Sequence, residues 1–171
     1  MKSGKAFERQ FRASCKKDPE LFFYRLKDSP SSWSAGGSAS IRFTSDNICD
    51  WILFKSPVLF LIELKSHTGS SLPFSCIRKN QIDGLMDASK YRNIVPGVIC
   101  FFTEKERCFF LNIIKLKELQ DSNTRKSIPI KYFEDFGIEI EVESLRVNYA
   151  FGVEKFVNGF CEGDSGQSPH E

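Results

Sequence analysis

The sequence has no apolar run approaching the roughly 18 to 20 residues that a membrane-spanning helix needs. Its first residues contain no apolar stretch of the kind a secretory signal carries. The six cysteines, at 15, 49, 76, 100, 108 and 161, stand singly, with neither a CxxC pair nor zinc-type spacing. Several of them sit inside apolar runs, as Cys100 does in GVICFF, where a free thiol serves as a small hydrophobe. A reduced, cytoplasmic protein is expected from these absences. Strong charge is missing as well. The net charge is +2, too mild to announce a polyanionic partner from its sum alone. No internal repeat is visible. At 171 residues, 41% of them hydrophobic and 17 of them Phe, the chain has ample core material for one domain.

The chain turns on residues 47–81, NICDWILFKSPVLFLIELKSHTGSSLPFSCIRKNQ. Two apolar runs, WILF and VLFLI, flank Lys55-Ser56-Pro57, a triplet with turn chemistry, and together they read as a β-hairpin. Such a hairpin brings Asp50, before the first run, near Glu63, after the second. In a strand Glu63 and Lys65 share a face while Leu64 points to the other layer. Two carboxylates and an ammonium gathered at a sheet edge suit a hard divalent cation such as Mg²⁺, held by oxygen ligands. The same charges also suit a surface hairpin that simply faces water.

Charge is unevenly distributed along the chain. Residues 3–17 read as an amphipathic helix. Phe7, Phe11 and Cys15 form its apolar stripe, Lys5, Arg9, Arg12 and Lys16 a separate basic one, and Glu8 lies on the border. Glu8 there either balances its basic neighbours or looks toward the acids. A strand is expected at 21–26, then a Ser/Gly-rich flexible loop at 29–40 holding Trp33, and a short strand at 41–43. Beyond the hairpin come a polar loop (66–76), a helix (77–91) with Gln81 beside its apolar face, and two strands, at 97–102 and 108–112, joined by a charged turn. A short helix begins at Ile113, a further short element occupies 127–137, and 138–142 alternates like an edge strand. A docking helix is expected within 149–160, with residues 161–171 a disordered tail. The order implies an α/β domain over residues 1–160, with a mixed central sheet flanked by helices.

Taken together, GKAFE in the first helix, the isolated Asp50, the E-x-K of 63–65 and the downstream Gln81 resemble the PD-(D/E)xK nuclease superfamily. More closely, the chain resembles RecU-type Holliday-junction resolvases and their phage relatives. SSLPFSCIRKNQIDGL, KSIPIKYFEDFGIEIE and LRVNY extend the likeness from Gly4 to about Tyr149. The resemblance implies a restriction-endonuclease-like core and a Mg²⁺-dependent DNA endonuclease, with Mn²⁺ able to substitute. It implies action as a homodimer on four-way junctions or other branched DNA, in recombination and repair. It assigns Asp50, Glu63 and the carbonyl of Leu64 to the metal, and Lys65 to the water and phosphate. It gives Glu8 and Gln81 supporting catalytic roles. DNA contacts would come from Lys5, Arg9, Arg12, Lys16, Arg25, Arg78 and Lys79.

Three departures stand out. Cys49 occupies a position where these resolvases tend to carry Thr, and Asn80 one where His is common. The interval that holds a basic, aromatic stalk in RecU-type enzymes is here the Ser/Gly loop, so specificity for a four-way junction does not follow from the likeness. A nuclease for flaps, nicked or plain duplex DNA, and a non-catalytic DNA-binding module on the same fold, are the competing readings.

Overall fold

In the computed structural model, residues 3–26, 47–122 and 124–163 are described. The expected strand at 41–43, Trp33 and the 29–40 loop lie outside them. Six strands form the central sheet in the order β1 (Phe22–Arg25), β2 (Trp51–Lys55), β3 (Val58–His67), β5 (Ile94–Phe102), β6 (Arg107–Asn112) and β8 (Ile138–Ile140). Only β3 and β5 run parallel, so the crossover between them carries a helix, α2 (Lys79–Ala88). A short strand, β4 (Ser71–Pro73), pairs with β7 (Ser127–Pro129), and β9 (Val142–Ser144) with β10 (Tyr149–Phe151).

Layering follows from alternation. On one face, α1 (Ser3–Cys15) buries Phe7, Phe11 and Cys15 against Trp51, Leu53, Phe60, Ile62 and Leu64. Helix α5 (Val153–Gly163) adds Phe156 and Val157 to the same layer. The high Phe content is spent here, as in the edge-to-face pair of Phe7 and Phe151 with centroids 5.1 Å apart. On the other face, α2, α3 (Ile113–Asp121) and α4 (Ile130–Phe136) bury Ile82, Leu85, Leu116 and Phe133 against Leu61, Val98, Cys100, Phe102, Phe109 and Leu111. Lys55 Nζ donates to Asp18 Oδ2 at 2.8 Å and ties the end of α1 to the hairpin turn. Burial pushes the Asp18 carboxyl up, but Lys55 and the backbone amides of Glu20 and Leu21 hold it below its ordinary range.

Several boundaries differ from the sequence expectation. Strand β3 continues to His67, because β5 pairs with it as far as Phe102. Strand β5 starts at Ile94 and contains Pro96, in a stretch where β6 has not yet joined the other side. Helix α2 is shorter than 77–91. Arg78 is extended, and Asn93 takes a left-handed φ of 63° in the turn leading to β5. The expected edge strand at 138–142 divides at Glu141, its halves pairing with different partners. The expected helix within 149–160 is a strand followed by α5. Cys161, Glu162 and Gly163, expected in a disordered tail, are helical. Among the described residues, no helix is long and apolar enough to cross a membrane.

Candidate active site

The hairpin register sets two acids close together. Trp51 pairs with Ile62 at the end of the β2–β3 ladder, and Asp50 and Glu63 flank that pair, near enough for the Asp50 charge to act on Glu63. The Asp50 N–H still donates to the Ile62 carbonyl at 3.2 Å, and the Asp50 carbonyl accepts from the Leu26 N–H at 2.8 Å. Asp50 is therefore held between the ends of β1 and β3, just before β2 begins. Backbone carbonyls two apart on a strand point to the same side. The carbonyl of Leu64 thus turns toward the Asp50 side, as that of Ile62 does, while the Leu64 side chain is buried in the α1 layer.

Glu63 is 1% exposed. Lys65, two residues on and on the same face, places its Nζ 2.7 Å from Glu63 Oε1. The two charges touch, and the Lys65 ammonium and Gln81 amide are the groups that act on the Glu63 carboxylate, though neither is aligned on it as a well-formed hydrogen bond. Burial pushes the Glu63 carboxyl up to about 7. Asp50 adds to the rise, while Lys65 and the Gln81 amide oppose it. A buried carboxyl with a second carboxylate close enough to raise it further forms the donor chemistry that a hard cation takes. Among the described residues no three His, Cys, Asp or Glu side chains gather into a metal-holding group. Asp50 and Glu63 fit an ion whose other positions fall to a carbonyl, water or phosphate, as is usual for Mg²⁺.

Helix α2 supplies the roof. Gln81 is 1% exposed, and its Oε1 accepts from the Arg78 N–H at 3.0 Å, which leaves its NH₂ to act on Glu63. One turn later a Cβ on Gly84 would stand 2.2 Å from Ile48 Cγ2. Only glycine lets the Asp50 segment lie this close to the helix. Sequence reasoning missed Gly84, although a glycine inside a helical pattern is itself a signal of close approach. Cys49, beside Asp50, is buried. Burial first, then Glu63 and Asp50, push its thiol up to about 12, which makes it a packing residue and not a nucleophile.

The remaining predicted residues lie around this centre. Glu8 is in an ion pair with Arg25 at 2.9 Å and does not touch Glu63. Arg25 pairs along the backbone with Trp51, next to Asp50, so Glu8 reaches the neighbourhood of Asp50 through Arg25. Lys5, Arg9 and Arg12 are exposed on α1, and Lys16 is exposed in the turn that follows it. A shallow depression of about 360 Å³ is lined by Lys5, Glu8, Arg9, Arg12, Arg25 and Trp51. Arg78 and Lys79 are exposed at the start of α2, Lys79 being paired with Asp83. A depression of about 630 Å³, between α1, β9, β10 and α5, is lined by none of Asp50, Glu63, Lys65 or Gln81.

A mixed sheet with helices on both faces, and a D…ExK set where its hairpin ends, defines a restriction-endonuclease-like fold of the nuclease class. Comparison with known proteins agrees. The family model for RecU, Recombination protein U, matches residues 8–155, and the chain belongs to that family. The chain is 35% identical over 173 residues to the SPbeta prophage-derived uncharacterized protein YotM of Bacillus subtilis (strain 168). That alignment covers 92% of this chain and 84% of YotM. Among solved structures, the fold is similar to that of Archaeoglobus fulgidus Hjc, a Holliday junction resolvase from an archaeal hyperthermophile. The TM-score is 0.53 at 16% identity, covering 80% of this chain and 95% of Hjc. Family and fold together make the protein a resolvase-like nuclease.

Proposed function

We propose that the protein is a divalent-cation-dependent endodeoxyribonuclease that hydrolyses phosphodiester bonds in four-way junctions or other branched DNA, as a homodimer. Mg²⁺ is its ordinary ion and Mn²⁺ a substitute. The observation that carries the reading is Glu63: a buried carboxylate ion-paired with Lys65 and close enough to Asp50 to feel its charge, in a chain of the RecU family. Asp50, Glu63 and the Leu64 carbonyl would hold the ion. When bound, it supplies an acidified water and a Lewis acid for the phosphate.

Each protein group then has a task. The Lys65 side chain, 24% exposed with its Nζ beside Glu63, orients the attacking water and offsets the charge that grows on the phosphate. Gln81, fixed by its bond to the Arg78 N–H, holds Glu63 and Lys65 in register. Glu8 fixes the Arg25 guanidinium beside the strand that begins just after Asp50, and acts on the site through it or through water. Lys5, Arg9, Arg12, Lys16, Arg25, Arg78 and Lys79 neutralise the backbone of the approaching DNA. Unpaired thiols and a DNA substrate suit a reducing cytoplasm and a part in recombination and repair.

The test is cleavage of labelled four-way junction, flap and plain duplex DNA in Mg²⁺, in Mn²⁺ and in EDTA. Metal-dependent cutting of the junction is expected. Cutting confined to flaps or duplex would keep the site and discard the resolvase reading. Binding without cutting in either metal would leave a DNA-binding module. The basic stripe gives a separate prediction: Arg9→Ala with Arg12→Ala should weaken DNA binding and flatten its salt dependence by about two phosphate contacts' worth of slope. Unchanged affinity at every salt concentration would take α1 out of the DNA path.

A further inference from the structure

Trp51 is 1% exposed, and its indole Nε1–H has no acceptor among the described residues. An indole nitrogen can only donate, so burial without an acceptor leaves it unsatisfied. The apolar surface of the ring is well placed by comparison, stacked with Phe23 and in edge contact with Phe11 of α1. What surrounds it is cationic. Trp51, Arg12 and Arg25 line both a depression of about 360 Å³ and an adjoining one of about 270 Å³, so the ring borders space that an acceptor can enter. Lys5, Arg9, Arg12 and Arg25 there stand against one acid, Glu8, which is taken up by Arg25 at 2.9 Å. Four cations against one carboxylate leave a strong positive excess beside an unused donor.

We propose that this depression is a discrete phosphate subsite, in which one phosphate group of the DNA accepts from the Trp51 indole and is gripped by Arg12 and Arg25. A phosphate oxygen answers both observations. It satisfies the indole N–H, and guanidinium forks match a phosphate in pairs of hydrogen bonds. A neutral acceptor would leave the excess of cations unused, and diffuse attraction to a polyanion needs no buried donor. The subsite therefore does what a basic stripe alone does not: it holds one phosphate at one place. Its distance from the ion is set by the chain itself. Trp51 pairs with Ile62, and the Asp50 N–H donates to the Ile62 carbonyl, so one ladder fixes both residues. Consecutive residues of an extended strand point to opposite faces. Asp50 thus serves the ion and Trp51 the held phosphate, one peptide unit apart, and Trp51 is a positioning residue that selects which bond of the strand meets the ion. The inference rests on the nuclease reading for its substrate, but its test needs no cleavage.

The experiment is heteronuclear NMR of the indole N–H groups in the full chain, in EDTA. The sequence has two tryptophans, so Trp33→Phe assigns the Trp51 signal. Inorganic phosphate is titrated against chloride at matched ionic strength, followed by junction DNA with phosphate or with hydroxyl ends. The Trp51 signal should shift saturably with phosphate and with both DNAs, which places a backbone phosphate in the subsite. A shift with phosphate-ended DNA alone supports the subsite and assigns it to a strand end. Trp51→Phe, checked for folding by circular dichroism and thermal melting, should bind junction DNA about tenfold more weakly, because a hydrogen bond to a charged acceptor is lost. Its salt slope should be unchanged, because an indole releases no counterions. A wild-type signal that phosphate and DNA leave unmoved, or that chloride moves equally, overturns the proposal whatever the variant does. So does a folded Trp51→Phe that binds DNA as wild type does, or that loses salt slope. A saturable indole shift in a protein that cuts no DNA counts against the nuclease reading alone.

Discussion

Asp50→Asn is expected to slow metal-dependent cleavage by about 10³-fold or more while raising the melting temperature of the metal-free protein. The two effects share one cause. Asp50 lies close enough to a carboxylate that is 1% exposed to raise it further, so its charge both favours an ion and strains the fold without one. Removing that charge relieves the repulsion that helps raise Glu63. Lys65→Ala should lose activity as fully but shift stability the other way. It takes from Glu63 the cation 2.7 Å away, and an unpaired buried carboxylate is strongly unfavourable. Cleavage rates and melting curves of both variants, in EDTA, test the pair. Loss of activity with equal destabilisation in both would show that Asp50 supports the fold and does not merely strain it.

The sequence made the hairpin and its acids legible because both signals are local. A turn triplet between two apolar runs fixes the register, and the register brings the two acids to flank its last pair. Glu63 and Lys65 were legible as face-sharing neighbours for the same reason. What could not be read there is burial. Nothing in E-L-K says that Glu63 sits beneath a helix, because α2 is brought over it by the parallel pairing of β3 with β5, a contact between distant segments. The role of Gly84 was hidden in the same way, since its partner Ile48 is 36 residues earlier. Boundary errors share a pattern. Ser66 and His67 look like loop residues but are strand residues, because pairing with Phe101 and Phe102 of β5 overrides their polarity. Glu8 was placed on a border correctly, yet only the fold could reveal Arg25 as its partner.

Glu63 also predicts how the protein responds to pH. Its carboxyl is raised from an ordinary 4.5 to about 7 in the folded chain, first by burial. Between those values the folded state holds more protons than the unfolded one, so stability falls as pH rises through this window. One proton's worth of linkage is a slope of at most about 1.4 kcal/mol per pH unit. For a domain of this size each kcal/mol moves the midpoint by about 2–4 °C. The metal-free protein should therefore melt several degrees lower at pH 7.5 than at pH 5. Above pH 7 the ionised pair is complete, and a cation that binds only the folded chain stabilises it by mass action. Millimolar Mg²⁺ or Mn²⁺ should then restore the lost degrees at pH 7.5 and do little at pH 5, where Glu63 keeps its proton. Glu63→Gln should remove both the pH slope and the metal response. Thermal melts of wild type and Glu63→Gln, with metal and with EDTA at the two pH values, measure this directly. A metal response that persists in Glu63→Gln would place the ion elsewhere, and a flat wild-type profile would show that Lys65 keeps Glu63 ionised throughout.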